Sequence, residues 1–204
     1  MNCIIVFTPN IGEDGLQTNC TTFQYNMKIN ICNDPVTVPE YAVHEDGKIY
    51  GFFGPFSFLS NFYILETAVC LEGLYFPSVE HAFQAAKWPP HLREQFTRCS
   101  SGKAKRLGRK SPYFDEEKWN KKKLGLMREL CFQKFTNDSK LNKMLLMTEG
   151  YELKETNNWG DTYWGCNEAG EGENNLGKIL MDIREELLKL EKKKKKFFKN
   201  ETAD

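Results

Sequence analysis

The hydrophobic pattern along the 204-residue chain changes period several times. Residues 76–88 read FPSVEHAFQAAKW. At about 100° per residue, Val79, Phe83 and Ala86 fall on one stripe and Glu80, Gln84 and Lys87 on another. Pro77 ends the preceding extended run and Ser78 is a good N-cap. The spacing therefore predicts a helix from Ser78 that stops at Pro89-Pro90. Further helical periods cover residues 91–99 (Leu92 and Phe96 inward), 102–110 and 114–136. In the last of these, Leu124, Met127, Cys131 and Phe135 share the apolar face. Asp138-Ser139 caps a helix to Met147 with Leu141, Leu145 and Leu146 buried. A final helix runs from about residue 177 to 195, with Leu176, Ile179, Leu180, Ile183, Leu187 and Leu190 on one side.

Strand signals are shorter. Residues 3–7, 22–31, 49–53 and 151–155 are candidates, and residues 68–76 read as a hairpin turning at Glu72-Gly73. The predicted class is mainly α with a small antiparallel β-element packed on the helices, an α+β fold. One domain spans residues 48–190. It follows an N-terminal extension, 1–47, expected to be partly β, and precedes a Lys-rich tail, 191–204, expected to be disordered.

Composition narrows the function. Residues are 40% hydrophobic and 13% aromatic, enough for one cored domain. The formal net charge is +0, but residues 189–199 hold seven Lys and one Glu, so the rest of the chain carries the compensating negative charge. An acidic body argues against broad duplex binding. Seven Cys lack any C-x-x-C spacing and there are three His, so no zinc site and no metal ligand set is expected. Free thiols suit a reducing cytoplasm. No stretch is long and apolar enough for a membrane span, so no membrane partner is expected.

Candidate chemistry sits in two stretches. The stripe of Glu80, Gln84 and Lys87 suits either a solvated amphipathic face or a site. Residues 157–175, NNWGDTYWGCNEAGEGENN, hold four Gly and almost no aliphatic side chains, so they form a surface loop. Trp159, Tyr163 and Trp164 offer flat faces there, and Asp161 and Asn174 polar groups. The loop's Gly-rich end runs into a helix start that can hold a phosphate on backbone N–H groups. Asn61, beside the Gly54-Pro55 turn, is placed to orient a hydroxyl or a base edge. Residues 103–110 carry Lys103, Lys105, Arg106, Arg109 and Lys110, either a solvated basic face or a phosphate edge. Arg109 offers the bidentate fork that phosphate favours. Trp119 reads as core or as a stacking face.

Five motifs in order, GPFSFLSNF (54–62), SVEHAFQAAK (78–87), LGR (107–109), DTYWG (161–165) and GENNLG (172–177), resemble the NADAR family, also called YbiA-like. The resemblance covers roughly residues 49–190. Val79 departs from the family helix start, and residues 33–46 belong to an extension the family core does not need. Family members are N-glycosidases that cut ribose C1–nitrogen bonds in riboflavin-pathway intermediates or ADP-ribosylated guanine. The resemblance implies a YbiA-like helical fold with residues 48–190 as the catalytic domain. It implies Glu80 as acid/base, Lys87 as Schiff-base nucleophile, and Asp161 stabilising the cation or activating water. A lysine nucleophile must be partly neutral, and desolvation under Trp164 and the Phe-rich turn would supply that. Asn61, Phe62, His81, Gln84, Arg109, Trp119, Trp164, Gly165 and Asn174 would bind substrate. No cofactor is implied. The expected partner is a small ribosyl or ADP-ribosyl compound, or ADP-ribosylated nucleic acid. The rival reading is a non-catalytic binding module for ADP-ribose- or NAD-like ligands.

Overall fold

The structure is a computed structural model and describes residues 47–201. The expected strands at 3–7 and 22–31, and the N-terminal extension apart from Gly47, lie outside the described residues. The elements are β1 (Lys48–Tyr50), a 3-10 turn (Gly54–Leu59), β2 (Val69–Leu71), β3 (Leu74–Phe76) and α1 (Val79–Ala85). A second 3-10 segment (Pro90–Phe96), α2 (Ser101–Arg109), α3 (Glu116–Asn137) and α4 (Ser139–Leu146) follow. The chain ends on β4 (Glu152–Lys154) and α5 (Asn175–Glu201). The fold is mixed α+β and mainly helical.

Local chemistry sets the boundaries. Ser78, Ser100, Asp115 and Asp138 each accept a backbone N–H in the first turn of the following helix. Such caps are worth about 1 kcal/mol each. Asp138 alone separates α3 from α4, with Oδ1 accepting from Lys140 N–H (2.8 Å) and Leu141 N–H (3.1 Å). β2 and β3 form the expected antiparallel hairpin. Glu72 (φ 49°) and Gly73 (φ 84°) both take positive φ, as a two-residue type I′ turn requires.

The other two strands pair with each other, β1 parallel to β4 with Ile49 opposite Leu153. A parallel pair needs a long crossover, here the whole helical body, so no local pattern announces it.

α1 is the centre. Every residue from Val79 to Ala85 is buried, so it has no solvated face. It packs against α2 and α3, and α3 packs on α4 and α5. Met127, Leu130, Cys131 and Phe135 form the buried side of α3. Leu124, expected in the core, is exposed instead. Leu176, Ile179, Leu180, Ile183 and Leu187 bury one side of α5, whereas Leu190 is exposed. α5 continues to Glu201, past the point where the sequence suggested a disordered tail. Residues 191–201 contain no Gly or Pro, and Lys and Glu are good helix formers. No helix among the described residues is long and apolar enough to cross a membrane.

Candidate active site

Burial of α1 turns its polar stripe into the floor of a cleft of about 190 Å³. Asn61, Phe62, Glu80, Phe83, Gln84, Lys87, Lys105, Arg109, Trp119, Met127, Glu155, Asp161 and Trp164 line it. Six are charged, three acids and three bases. A wider hollow of about 380 Å³ lies among Asn157, Asn158, Gly160, Asn167, Glu168 and Ala169. It is open loop surface with one charged side chain, and the chemistry lies in the smaller cleft.

Glu80 is anchored at both ends of its residue. Its N–H donates to Asn61 O at 2.9 Å, and Gln84 Nε2 donates to its Oε1 at 3.0 Å. Burial pushes its carboxyl above the ordinary range, while Lys105, the Gln84 hydrogen bond, Lys87 and Arg109 pull the other way. Gln84 Oε1 has no partner. A Cβ on Gly108 would lie 2.0 Å from that oxygen, so the glycine of the LGR motif lets α2 close on α1.

Lys87 extends from the C-terminal end of the helix into an aromatic cage. Its Nζ lies 5.0 Å from the Trp119 ring centre, 5.7 Å from Phe114 and 5.8 Å from Phe83. Burial lowers its pKa; Glu80 opposes that shift, while Arg109 and Lys105 add to it. The desolvation expected of Lys87 is present, but these three rings supply it rather than Trp164 and the Phe-rich turn. Trp164 stands one ring away, edge-on to Phe83 at 5.4 Å.

Asn61 is held by sulfur. Its Nδ2 donates to Met127 Sδ (3.3 Å), and Cys131 Sγ–H donates to its Oδ1 (3.7 Å). Below the same turn, the buried Lys134 donates to Ser60 O at 2.8 Å.

The loop after β4 is built on Asn157. Its Oδ1 accepts Asp161 N–H (2.9 Å) and its Nδ2 donates to Asp161 O (2.8 Å). Asp161 Oδ1 in turn accepts Trp164 N–H at 2.9 Å. Gly165 sits where a Cβ would lie 2.2 Å from Glu155 O, so the loop folds flat on the strand end.

Glu155 was not anticipated as a site residue. It follows β4, and its Oε2 is shielded from solvent without a partner. Burial raises its pKa to about 7; Asp161 and Glu80 add to the shift and Lys105 opposes it. The only sequence signal was an acid closing a strand just before the loop that carries Asp161. Phe83 and Met127 also line the cleft beyond expectation, and Lys105 joins it from the basic cluster on α2.

Three expected substrate-binding residues lie off the cleft wall. His81 Nε2–H donates to Cys99 O (2.7 Å), which leaves Nδ1 as acceptor for Ser78 Oγ–H (2.7 Å), so the ring ties α1 to the segment before α2. Asn174, at φ 51°, donates from Nδ2 to Leu153 O (2.8 Å) and accepts Glu155 N–H at Oδ1 (3.0 Å). It acts as a short strand edge that holds Glu155. Gly165 serves by close approach. The N-terminus of α5 does not offer a phosphate cradle: Tyr163 O takes Asn175 N–H and Trp164 O takes Leu176 N–H. Among the described residues no group of three or more His, Cys, Asp or Glu is placed to hold a metal ion.

Residues 44–188 match the family model of the NADAR domain. The chain belongs to the NADAR family. It is 38% identical over 120 residues to the N-glycosidase YbiA of Escherichia coli, covering 57% of this chain and 74% of that protein. It is 32% identical over 146 residues to an N-glycosidase of Nostoc punctiforme, covering 69% and 92%. A riboflavin biosynthesis protein of Vibrio vulnificus is 33% identical over 165 residues, 80% of this chain but only 41% of that longer protein. The NMR structure of E. coli YbiA superposes with a TM-score of 0.62 at 31% identity, covering 78% of this chain and 95% of that one.

Proposed function

We propose that the chain is an N-glycosidase that hydrolyses the bond between a ribose C1 and a nitrogen. Its substrate is a ribosyl phosphate or ADP-ribosyl compound, of the riboflavin-intermediate or ADP-ribosylated-guanine type. The names of the E. coli and Nostoc relatives support the reaction class, and that of the Vibrio relative supports a riboflavin-type substrate. The observation that carries the reading is the pairing in one cleft of a buried Glu80, whose carboxyl burial pushes upward, with an aromatic-caged Lys87.

N-glycoside cleavage needs a proton on the leaving nitrogen and stabilisation of positive charge at C1. Glu80, whose neutral form burial favours, gives its proton to the leaving nitrogen. Lys87, partly neutral in its cage, attacks C1 as the C1–N bond breaks, and its own proton passes to a nearby carboxylate. Opening of the sugar ring, with a proton moving to the ring oxygen, gives an imine on Lys87. Water then releases the aldehyde form of the sugar and restores the amine. Asp161 faces the developing cation, and Glu155, near pKa 7, suits proton movement in both directions. Two unpartnered acceptors, Gln84 Oε1 and Glu155 Oε2, suit ribose hydroxyl donors. Arg109, exposed at the rim, suits the phosphate.

A module that only binds ADP-ribose-like ligands would have no use for a carboxyl held out of water beside a desolvated amine. The test is to incubate the protein with N-ribosyl phosphates and ADP-ribosylated guanine, free and in DNA, and to assay the released base. Release from at least one compound is expected; binding of the panel without release would leave the binding-module reading.

A further inference from the structure

At the mouth of the cleft, two exposed aromatic rings from distant parts of the chain converge on one ammonium. Lys105 Nζ lies 5.3 Å from the Phe62 ring centre and 5.6 Å from that of Trp159. Phe62 follows the 3-10 turn, Trp159 belongs to the loop after β4, and Lys105 projects from α2. These rings are 38% and 62% exposed, unlike the inner aromatic wall of Phe83 and Trp119. Both Phe62 and Lys105 also line the cleft, so the two features are continuous.

The cleft's volume decides what belongs there. About 190 Å³ is below the ~300–1,000 Å³ that encloses a drug-sized ligand, so it holds a pentose but not a pentose with its base. Whatever is bonded to C1 must extend to the mouth. The two distances together cap the separation of the Phe62 and Trp159 ring centres at about 11 Å. A planar ring stacked between two others needs about 7 Å, which lies within that cap. Aromatic faces are sequence-tolerant partners for any heterocycle.

We propose that Phe62, Trp159 and Lys105 form a stacking slot for the planar nitrogen heterocycle attached to C1, with the Lys105 ammonium occupying the slot until substrate arrives. The inference rests on the glycosidase reading above and adds to it the residues that would meet the leaving heterocycle. When the ring enters, Lys105 swings inward towards Glu80 and Glu155, the two carboxylates whose titration it already opposes.

The test is titration calorimetry of the intact chain and of Trp159→Leu with three probes: ribose 5-phosphate, adenosine 5′-monophosphate and ADP-ribose. The expected result is about 10-fold weaker binding of adenosine 5′-monophosphate by the variant, with ribose 5-phosphate unchanged. Phe62→Leu should act in the same direction, and circular dichroism of both variants should match the parent, since both rings are exposed. Equal losses on ribose 5-phosphate and the nucleotide overturn the slot, as does no loss on the nucleotide. A loss confined to ADP-ribose would give the rings to the distal adenine and overturn the assignment to C1. If the parent binds ribose 5-phosphate and the nucleotide but Trp159 is indifferent, only the slot falls. If the parent binds none of the three probes, the glycosidase reading falls and the slot with it.

Discussion

The backbone N–H of Glu80 donates to the carbonyl oxygen of Asn61 at 2.9 Å. The turn that carries the amide and the helix that carries the acid are therefore fixed as one piece. That turn is held again from below, where Lys134 Nζ meets Ser60 O and lies over the Tyr63 and Phe135 rings. The position of the acid depends on the tertiary fold, and the charge state of the acid depends on the burial which that fold enforces.

Glu80→Gln should therefore fold and lose activity. A carboxamide can still accept a hydrogen bond from Gln84, but it has no proton to give to a leaving nitrogen. Removing a general acid typically costs ~10²–10⁴-fold in rate. Stability should not fall at alkaline pH. Glu80's pKa is raised on folding, so its ionisation disfavours the folded state above the ordinary carboxylate range. Base-release assays and thermal melts at pH 8 check both halves. Activity within a few-fold of the parent would remove Glu80 from the mechanism.

The sequence made this site legible only in part. The Ser78 cap, the Glu72-Gly73 hairpin, the Asp138 junction and the start of the final helix are local chemistry, and the structure has them within a few residues. The stripe of Glu80, Gln84 and Lys87 was visible as a period, but whether it faced water was not. That depends on α2 and α3 closing over α1, a contact between segments far apart in sequence. Glu155 was missed for the same reason, since β4 is placed by its parallel pairing with β1 and by Asn174, both distant in sequence. Asn174 and His81 were visible as motif members, yet they serve by holding Glu155 and α1 in place. A motif marks that a residue is needed without showing whether it touches substrate.

Gly108→Ala tests the closure of α2 on α1. An ideal Cβ would sit 2.0 Å from Gln84 Oε1 and 2.7 Å from Gln84 Cβ, closer than real atoms approach. Relief requires α2 to move outward, carrying Lys105 and Arg109 with it. Overpacking of this kind costs ~1–3 kcal/mol. Urea denaturation should show that loss, and the KM for a phosphorylated substrate should rise. An unchanged midpoint would mean that Gln84 swings aside freely.

Lys87 can be examined directly. If it attacks C1, borohydride added during turnover reduces the imine to a stable secondary amine, and mass spectrometry finds the sugar's carbon skeleton on the peptide containing Lys87. Lys87→Ala should lose turnover and the adduct together. The short-lived imine makes the variant the firmer test: full activity in Lys87→Ala would leave Glu80 with Asp161 as the catalytic carboxylates.

Glu155 links pH to both stability and rate. Its carboxyl titrates at about 7 in the folded protein, against an ordinary value of 4.5, chiefly through burial and with help from Asp161. Between those values the folded chain keeps a proton that the unfolded chain has released. The native state thus binds more protons, and Glu155 makes stability fall as pH rises from about 4.5 to about 7, with no further change above. Glu155→Gln cannot titrate, so its stability relative to the parent should climb across that window and then level off. Denaturant midpoints at pH 4.5, 6 and 8 read the difference. The same variant should lose the limb near pH 7 in the profile of kcat/KM, because a group that exchanges protons there is gone. A stability difference that ignores pH would show that Glu155 is already ionised in the folded protein. A profile that keeps its limb would assign the titration near 7 to a group other than Glu155.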